Sequence, residues 1–219
     1  MLGRRGPGGQ RLTALPAIGG VGLAIHLLRR ASLRWGATYD ESRGPMPGDD
    51  VVPVPDYWAT NAVTVRAPRE QVWPWLVQMG GYTRAGWYSF DRLDNGGVSS
   101  AWEIVPELQH LEVGDVLSTD RDGTGFVVER LDPPHALVMT IRAQGTVTSS
   151  AFELRPLDPD TDTRLLCRLR LTAPLTVPGV RYRLLMELGH VPMTTAMLRG
   201  IKRRAERIAA YDDRASGSG

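Results

Sequence analysis

Cysteine is almost absent from this chain, which excludes several kinds of site. The 219 residues contain a single cysteine, Cys167. One cysteine cannot form an internal disulfide or supply a multi-cysteine zinc or iron–sulfur site. The sequence also lacks an HExxH pair, a Gly-x-Ser-x-Gly elbow and a phosphate-binding glycine loop. We therefore expect no transition metal and no cofactor, and we interpret Cys167 as a small buried apolar residue.

Acidic residues are absent from the first 39 residues, which carry six arginines. Residues 40–219 carry 20 basic and 24 acidic groups, a net charge of −4. The formal net charge of +2 is therefore the sum of a basic leader and a mildly acidic body. Bulk charge gives no reason to expect a nucleic-acid partner.

Long apolar runs are also scarce, and the longest is residues 12–28, LTALPAIGGVGLAIHLL, with three arginines on either side. A membrane span needs about 20 apolar residues, whereas this run is shorter and contains Pro16, His26 and three glycines. A secretory signal rarely has two arginines directly after its apolar core. A helix on the membrane surface, with its arginines on anionic headgroups, is a third interpretation. Residues 1–35 are thus either a membrane anchor or a plain extension.

The remaining residues divide into three parts. Residues 36–56 contain four prolines, which exclude a regular helix and predict an extended lead-in on the domain surface. Residues 57–212 carry the periodic patterns of a folded domain. Residues 213–219 end in SGSG and predict a flexible tail.

Alternation of apolar and polar residues predicts six short strands. The first occupies residues 58–66. The links between the later strands have hairpin length, so these strands should form an antiparallel meander. The five later strands are residues 113–119, 124–132, 135–143, 146–158 and 161–173.

Helical segments are predicted between the first strand and the meander. Pro68 suits a first helical turn, and Pro74 inside a continuous helix would cost about 3 kcal/mol. We therefore expect a break near Trp73 that separates two short helices. A further short helix over 88–94 and a turn over 106–111 follow.

The C-terminal region is predicted to be helical throughout most of its length. Residues 178–188 form a first stretch, which Gly189 and Pro192 interrupt. Residues 193–211 form an amphipathic helix with a basic outer face. The order of elements predicts an α+β helix-grip fold, in which a curved antiparallel sheet wraps the long C-terminal helix. Such a sheet leaves a cavity where it bends away from the helix.

Four strings of the sequence resemble members of the SRPBCC superfamily, and specifically a bacterial branch of it. This helix-grip group includes START lipid-binding domains, polyketide cyclases/dehydrases and birch-pollen-type allergens. The resemblance covers residues 35–211 and implies the helix-grip fold and a cavity for a hydrophobic ligand, but it does not imply a reaction. The strings are QVWPWLVQMG (71–80), RAGWYSFDRLDN (84–95), IVPELQHLEVGD (104–115) and MLRGIKRRAER (197–207).

Aromatic and methionine side chains are the candidate ligand contacts. All six tryptophans lie between Trp35 and Trp102, and this clustering predicts the wall and mouth of the cavity. Methionines adapt to varied ligands, although the same stripe on a helix is more often core. The candidate ligand-binding residues are Trp75, Met79, Trp87, Phe90, Trp102, Glu107, Met186, Met193 and Met197.

Four side chains are candidate acid–base groups: Asp91, Tyr88, His190 and Arg84. A carboxyl group buried near a cavity could have a raised pKa, and a histidine can exchange a proton near neutral pH. The alternative for Asp91 is a packed lid in which it pairs with Arg84 or Arg92. The alternative for His190 is an exposed or capped loop residue.

Three functions are compatible with these patterns. The first is binding of an apolar or aromatic small molecule, lipid-like or polyketide-like, in an internal cavity. The second is an enzyme of the polyketide cyclase/dehydratase type. The third is an adaptor held at a membrane by residues 12–28 and by the basic face of the final helix, which would make a cytoplasmic protein membrane-associated. The sequence identifies neither the ligand nor the oligomeric state.

Overall fold

The computed structural model of the chain describes Arg29, residues 31–158 and residues 161–216. The chain divides into two units, residues 1–32 and residues 33–219, and the second unit contains the sheet and the helices named below. The candidate membrane segment, residues 12–28, lies outside the described residues. Within the described part, no helix is long and apolar enough to cross a membrane.

Six antiparallel strands form one sheet in the order β1-β6-β5-β4-β3-β2. All six predicted strands are present, and β2 to β6 form the predicted meander with β1 added beside β6. The strands are β1 (Tyr57–Val65), β2 (Val116–Ser118), β3 (Gly125–Asp132), β4 (Ala136–Ala143), β5 (Thr146–Asp158) and β6 (Asp162–Thr172).

Four α-helices accompany the sheet within residues 33–216, and the last of them is 40 residues long. Two short helices, α2 and α3, follow β1, and the long C-terminal helix α4 packs on the sheet. This arrangement confirms the predicted α+β helix-grip fold. The helices are α1 (Tyr39–Arg43), α2 (Arg69–Val77), α3 (Asp91–Asp94) and α4 (Val177–Ser216), with a 3₁₀ turn at Pro106–Leu108.

Helix α2 is continuous, so the predicted break near Trp73 is wrong. Pro74 lies inside the helix, and its missing N–H removes one helical hydrogen bond. The helix ends only three residues later. Burial compensates for the lost bond, because Val72, Trp75 and Leu76 are all 0% exposed.

Helix α4 is also continuous, and the predicted interruption at Gly189 and Pro192 is wrong. Pro192 removes the bond to the carbonyl of Leu188. Both residues are exposed, so this carbonyl can bond to water instead. The helix thus tolerates the proline because the loss falls on its solvent side.

The lead-in is not extended throughout, since it contains helix α1. Thr38 and Glu41 form a capping box, in which each side chain bonds to the backbone N–H of the other residue. The four prolines all lie after this helix. They therefore end the helix rather than prevent it.

The free edge of β1 is covered by the chain that precedes the lead-in. The N–H of Thr60 donates to the carbonyl of Leu33 at 2.8 Å, and that of Ala62 donates to the carbonyl of Trp35 at 3.1 Å. The outer face of the sheet is covered by the lead-in itself. There Met46 packs with Ala62, Val138, Ala151 and Leu166.

Three arginines on the outer face of β6 hold the lead-in in place. Arg164 donates to the Glu41 carboxylate at 2.7 and 2.8 Å, and this bond lowers the Glu41 pKa to about 2. Arg168, only 3% exposed, donates to Asp49 at 2.7 Å and to two lead-in carbonyls. Arg170 lies 2.9 Å from the other Asp49 oxygen. A buried, charged network thus joins the lead-in to the sheet.

Arg168→Met should destabilise the protein strongly, because it removes the buried guanidinium that binds two lead-in carbonyls and that shares the Asp49 carboxylate with Arg170. We expect the free energy of unfolding in urea to fall by about 3 kcal/mol. The matched control is Arg66→Met, because the Arg66 side chain is 78% exposed in its pair with Glu206. The control should cost less than about 1 kcal/mol. Equal losses of unfolding free energy in the two variants would show that the buried network around Arg168 contributes no more to stability than an exposed ion pair.

Candidate functional site

The inner face of the sheet combines apolar and polar side chains. Strand register aligns the inward residues of β1, β6, β5 and β4 in rows across the sheet. In the two rows nearest the start of β1, hydroxyl-bearing and small side chains lie beside large apolar ones. The first two rows are Tyr57, Leu171, Thr148 and Ile141, then Ala59, Leu169, Ser150 and Met139.

The first half of α4 packs over these two rows. Tyr182, Met186 and His190 are spaced four residues apart and so share one helical face. The Tyr182 hydroxyl lies 3.2 Å from the Thr148 hydroxyl. Met186 packs against the cluster that contains Tyr57. This half of the grip therefore combines apolar walls with several hydroxyl groups.

His190 is buried in α4, not exposed in a loop as one prediction allowed. Its side chain is 8% exposed and its ring lies edge-on to Tyr57, with centroids 6.2 Å apart. Its Nε2 lies 2.9 Å from the Thr194 hydroxyl, while Nδ1 has no hydrogen-bond partner among the described residues. Burial lowers the His190 pKa to about 4. The ring is therefore neutral at physiological pH.

A cleft of about 300 Å³ opens at this end of the grip. Tyr182 lines it, and the Tyr182 hydroxyl contacts the buried Thr148 hydroxyl on β5. Gly179 shapes the rim, because a Cβ there would lie 2.2 Å from the carbonyl oxygen of Pro174. The other lining residues come from the β4–β5 hairpin and the start of α4, and they are Ile141, Ala143, Gln144, Thr146, Thr176 and Pro178.

The predicted aromatic residues form a different region, under the second half of α4. The structure brings several of them together as a packed core. Each of these residues is at most 8% exposed, and the rings of Trp75 and Tyr88 meet edge-on with centroids 5.9 Å apart. The residues that share this core are Trp75, Met79, Trp87, Tyr88 and Met197.

Arg204, which the sequence analysis did not select, holds this region together. Its guanidinium lies 4.6 Å from the Tyr88 ring centroid and 4.1 Å from that of Trp102. It also donates to the carbonyl of Ala101 at 2.7 Å. Its spacing in the sequence could have revealed this role, because Arg204 lies seven residues after Met197 and so shares the inward face of α4.

The segment between α2 and β2 approaches α4 closely at this point. Gly200 permits the contact, because a Cβ there would lie 2.3 Å from the carbonyl oxygen of Tyr88. The Tyr88 hydroxyl donates to the carbonyl of Trp75 at 3.2 Å, and burial raises the Tyr88 pKa. The phenol is therefore protonated and engaged.

Asp91 and Arg84 also have partners within this segment. The backbone N–H of Ser100 donates to Asp91 at 3.0 Å, and the Ser100 hydroxyl donates to its other oxygen. Arg84 donates to the carbonyls of Met79 and Val77 at 2.8 and 2.7 Å. The predicted pairing of Asp91 with Arg84 or Arg92 is therefore wrong. Catalytic roles for Asp91, Arg84, Tyr88 and His190 stay predictions.

The remaining candidates are spread over the surface and the helix. Phe90 and Trp102 are about half exposed. Glu107 is exposed, and Met193 is partly exposed on α4. Of the residues selected from the sequence, only Met186 and His190 lie in the half of the grip that contains the cleft. The β4–β5 hairpin residues that line the cleft were not predicted as site residues, because a short polar turn does not indicate in the sequence that the start of a helix will pack opposite it.

Comparison with known proteins gives distant likenesses only. No protein-family profile and no curated protein matches the chain. The solved structure of the hypothetical protein jhp0584 from Helicobacter pylori is 17% identical, with a TM-score of 0.42 over 74% of this chain and 95% of that one. A conserved protein from Geobacillus kaustophilus is 13% identical, with a TM-score of 0.38 over 69% and 96%.

A di-domain ARO/CYC protein, StfQ from the steffimycin biosynthetic pathway, is also similar. It is 14% identical, with a TM-score of 0.38 over 70% of this chain and 51% of that one. These likenesses are too distant to identify a ligand or a reaction.

The depressed pKa of His190 predicts a pH dependence of stability. Unfolded histidine binds a proton near pH 6.5, whereas folded His190 does so only near pH 4. The free energy of unfolding should therefore fall as the pH decreases from 6.5 towards 4, with a limiting slope of one proton per molecule. His190→Gln should flatten this slope in urea titrations across that range. An unchanged slope in His190→Gln would contradict the assignment.

Proposed function

We propose that this chain binds an apolar or amphipathic small molecule, lipid-like or polyketide-like, in the cleft between α4 and the β4–β5 hairpin. The observation that carries the proposal is the uncharged lining of this cleft, which includes Tyr182, whose hydroxyl contacts the buried Thr148. Behind Tyr182 the inner face of the sheet carries the hydroxyl groups of Thr148 and Ser150 among large apolar side chains. The second half of α4 packs instead on the core that contains Trp75, Tyr88 and Met197.

The chemistry of the lining defines the class of ligand. None of the eight lining residues carries a charge. Ile141, Ala143 and Pro178 offer apolar surface, while Gln144 and Thr146 offer hydrogen-bonding groups. Small-molecule sites typically combine an apolar wall with a few polar groups that fix orientation. The cleft therefore suits a neutral ligand whose polar group is a hydroxyl or a carbonyl.

The buried polar residues support the same orientation. Thr148 is 0% and Ser150 is 5% exposed, on the inward face of β5. His190 lies about two helical turns after Tyr182 along α4 and is not among the residues that line the cleft. A ligand hydroxyl or carbonyl would therefore bond to the Tyr182 hydroxyl, beside that of Thr148.

The size of the cleft limits the ligand. Ligand pockets commonly have volumes of about 300–1,000 Å³, so a cleft of about 300 Å³ lies at the small end of that range. It can hold one ring system or one end of a chain. A longer ligand would extend past the rim at Thr176 and Pro178.

Filling the cleft should abolish binding. Thr146→Trp places an indole in the cleft, and we expect at least a tenfold loss of affinity for a pyrene-labelled fatty alcohol, measured by fluorescence titration of the full chain. Thr119→Trp is the matched control, because Thr119 is exposed at the end of β2, away from the cleft. Native mass spectrometry of the purified chain should show a co-purified neutral molecule that the Thr146→Trp variant lacks. Equal affinity in both variants, or no binding by the unmodified chain, would overturn the proposal.

A further inference from the structure

The first half of α4 carries a row of exposed apolar side chains. Val177, Leu184 and Leu188 are separated by seven and four residues, so they lie on one helical face, and Leu185 lies beside them. Leu175 precedes the helix. These five residues, here called the leucine patch, range from 51% exposed (Leu184) to 89% exposed (Leu175). The patch faces away from the sheet, since the inward side of this half is formed by Tyr182, Met186 and His190.

The patch is confined to the part of α4 beside the cleft. Further along the helix the exposed positions carry arginines, namely Arg199, Arg203 and Arg207. At its other end the patch meets the cleft, because Thr176 and Pro178 line the cleft and alternate with Leu175 and Val177 along the chain. Contiguous exposed apolar surface of this kind marks an interaction site.

Positive charge accompanies the leucine patch. Arg181 is exposed on the same face, between Val177 and Leu184, and Arg183 is partly exposed next to Leu184. Leucines with arginines at their margin are typical of helices that lie at a lipid surface. There the apolar side chains enter the acyl boundary while the guanidinium groups extend to the headgroups.

We propose that the leucine patch docks on an anionic lipid bilayer, with Arg181 contacting the headgroups. In this orientation the mouth of the cleft faces the acyl region. A second copy of the chain on the same patch would instead cover the mouth. The docking involves a different part of the chain from residues 12–28, and it does not require the ligand proposed above.

A fluorescent label placed in the patch tests the proposal directly. Leu185→Cys in the full chain can be labelled selectively with the environment-sensitive dye NBD, because Cys167 is buried and burial raises its pKa to about 12. The matched control is Leu93→Cys, which replaces another exposed leucine, on α3. With vesicles of phosphatidylglycerol and phosphatidylcholine, the label at 185 should shift to the blue and brighten at least threefold. The label at 93 should not change.

A charge reversal tests the role of Arg181. In the labelled Leu185→Cys chain, Arg181→Glu should weaken binding to the anionic vesicles at least fivefold. It should leave binding of the pyrene-labelled fatty alcohol in vesicle-free buffer unchanged, which separates docking from ligand binding.

Three results would overturn the docking proposal. One is an unchanged label at 185 while the protein co-sediments with vesicles, since the chain would then bind lipid elsewhere. Another is an equal response at 93 and 185. The third is a blue shift at 185 that needs no vesicles and grows with protein concentration, because it would assign the patch to a second copy of the chain.

Discussion

Strand β6 is the element on which both sides of this protein depend. Its inward residues Leu165, Cys167, Leu169 and Leu171 are each at most 3% exposed and form the floor beneath α4. Its outward arginines bind carboxylates and backbone carbonyls of the lead-in. One strand can serve both faces, because successive side chains along a strand point to opposite sides of the sheet. The position of α4, and of the cleft at its start, follows from this strand.

The grip has two halves with different physical properties. In the second half of α4, Arg204 stacks between Tyr88 and Trp102 while Gly200 admits the backbone of Tyr88. Those contacts leave little freedom to rearrange. In the first half, hydroxyl groups lie among the apolar side chains, and the outward face of the helix exposes Leu184, Leu185 and Leu188. Ligand binding and docking are both proposed for this half.

The strands could be predicted from the sequence because their side-chain alternation reflects burial on each face. The helix breaks could not, since they were inferred from proline propensity alone. Tertiary packing outweighed that propensity at Pro74, and an exposed position made it tolerable at Pro192. Arg204 was missed because a basic run on an amphipathic helix normally faces solvent. Tyr182 and Thr148 were missed because their contact joins α4 to β5, and no local pattern records it.

The backbone of Leu33 and Trp35 covers the β1 edge, and this coverage limits aggregation through strand pairing between molecules. A sheet is a template for the strands of other chains wherever a long edge keeps free N–H and C=O groups. Here one edge is occupied by the chain's own backbone, and the other edge strand, β2, is three residues long. Loss of the chain up to Trp35 would open the first edge. The same segment that leads into the domain thus also limits strand addition between molecules.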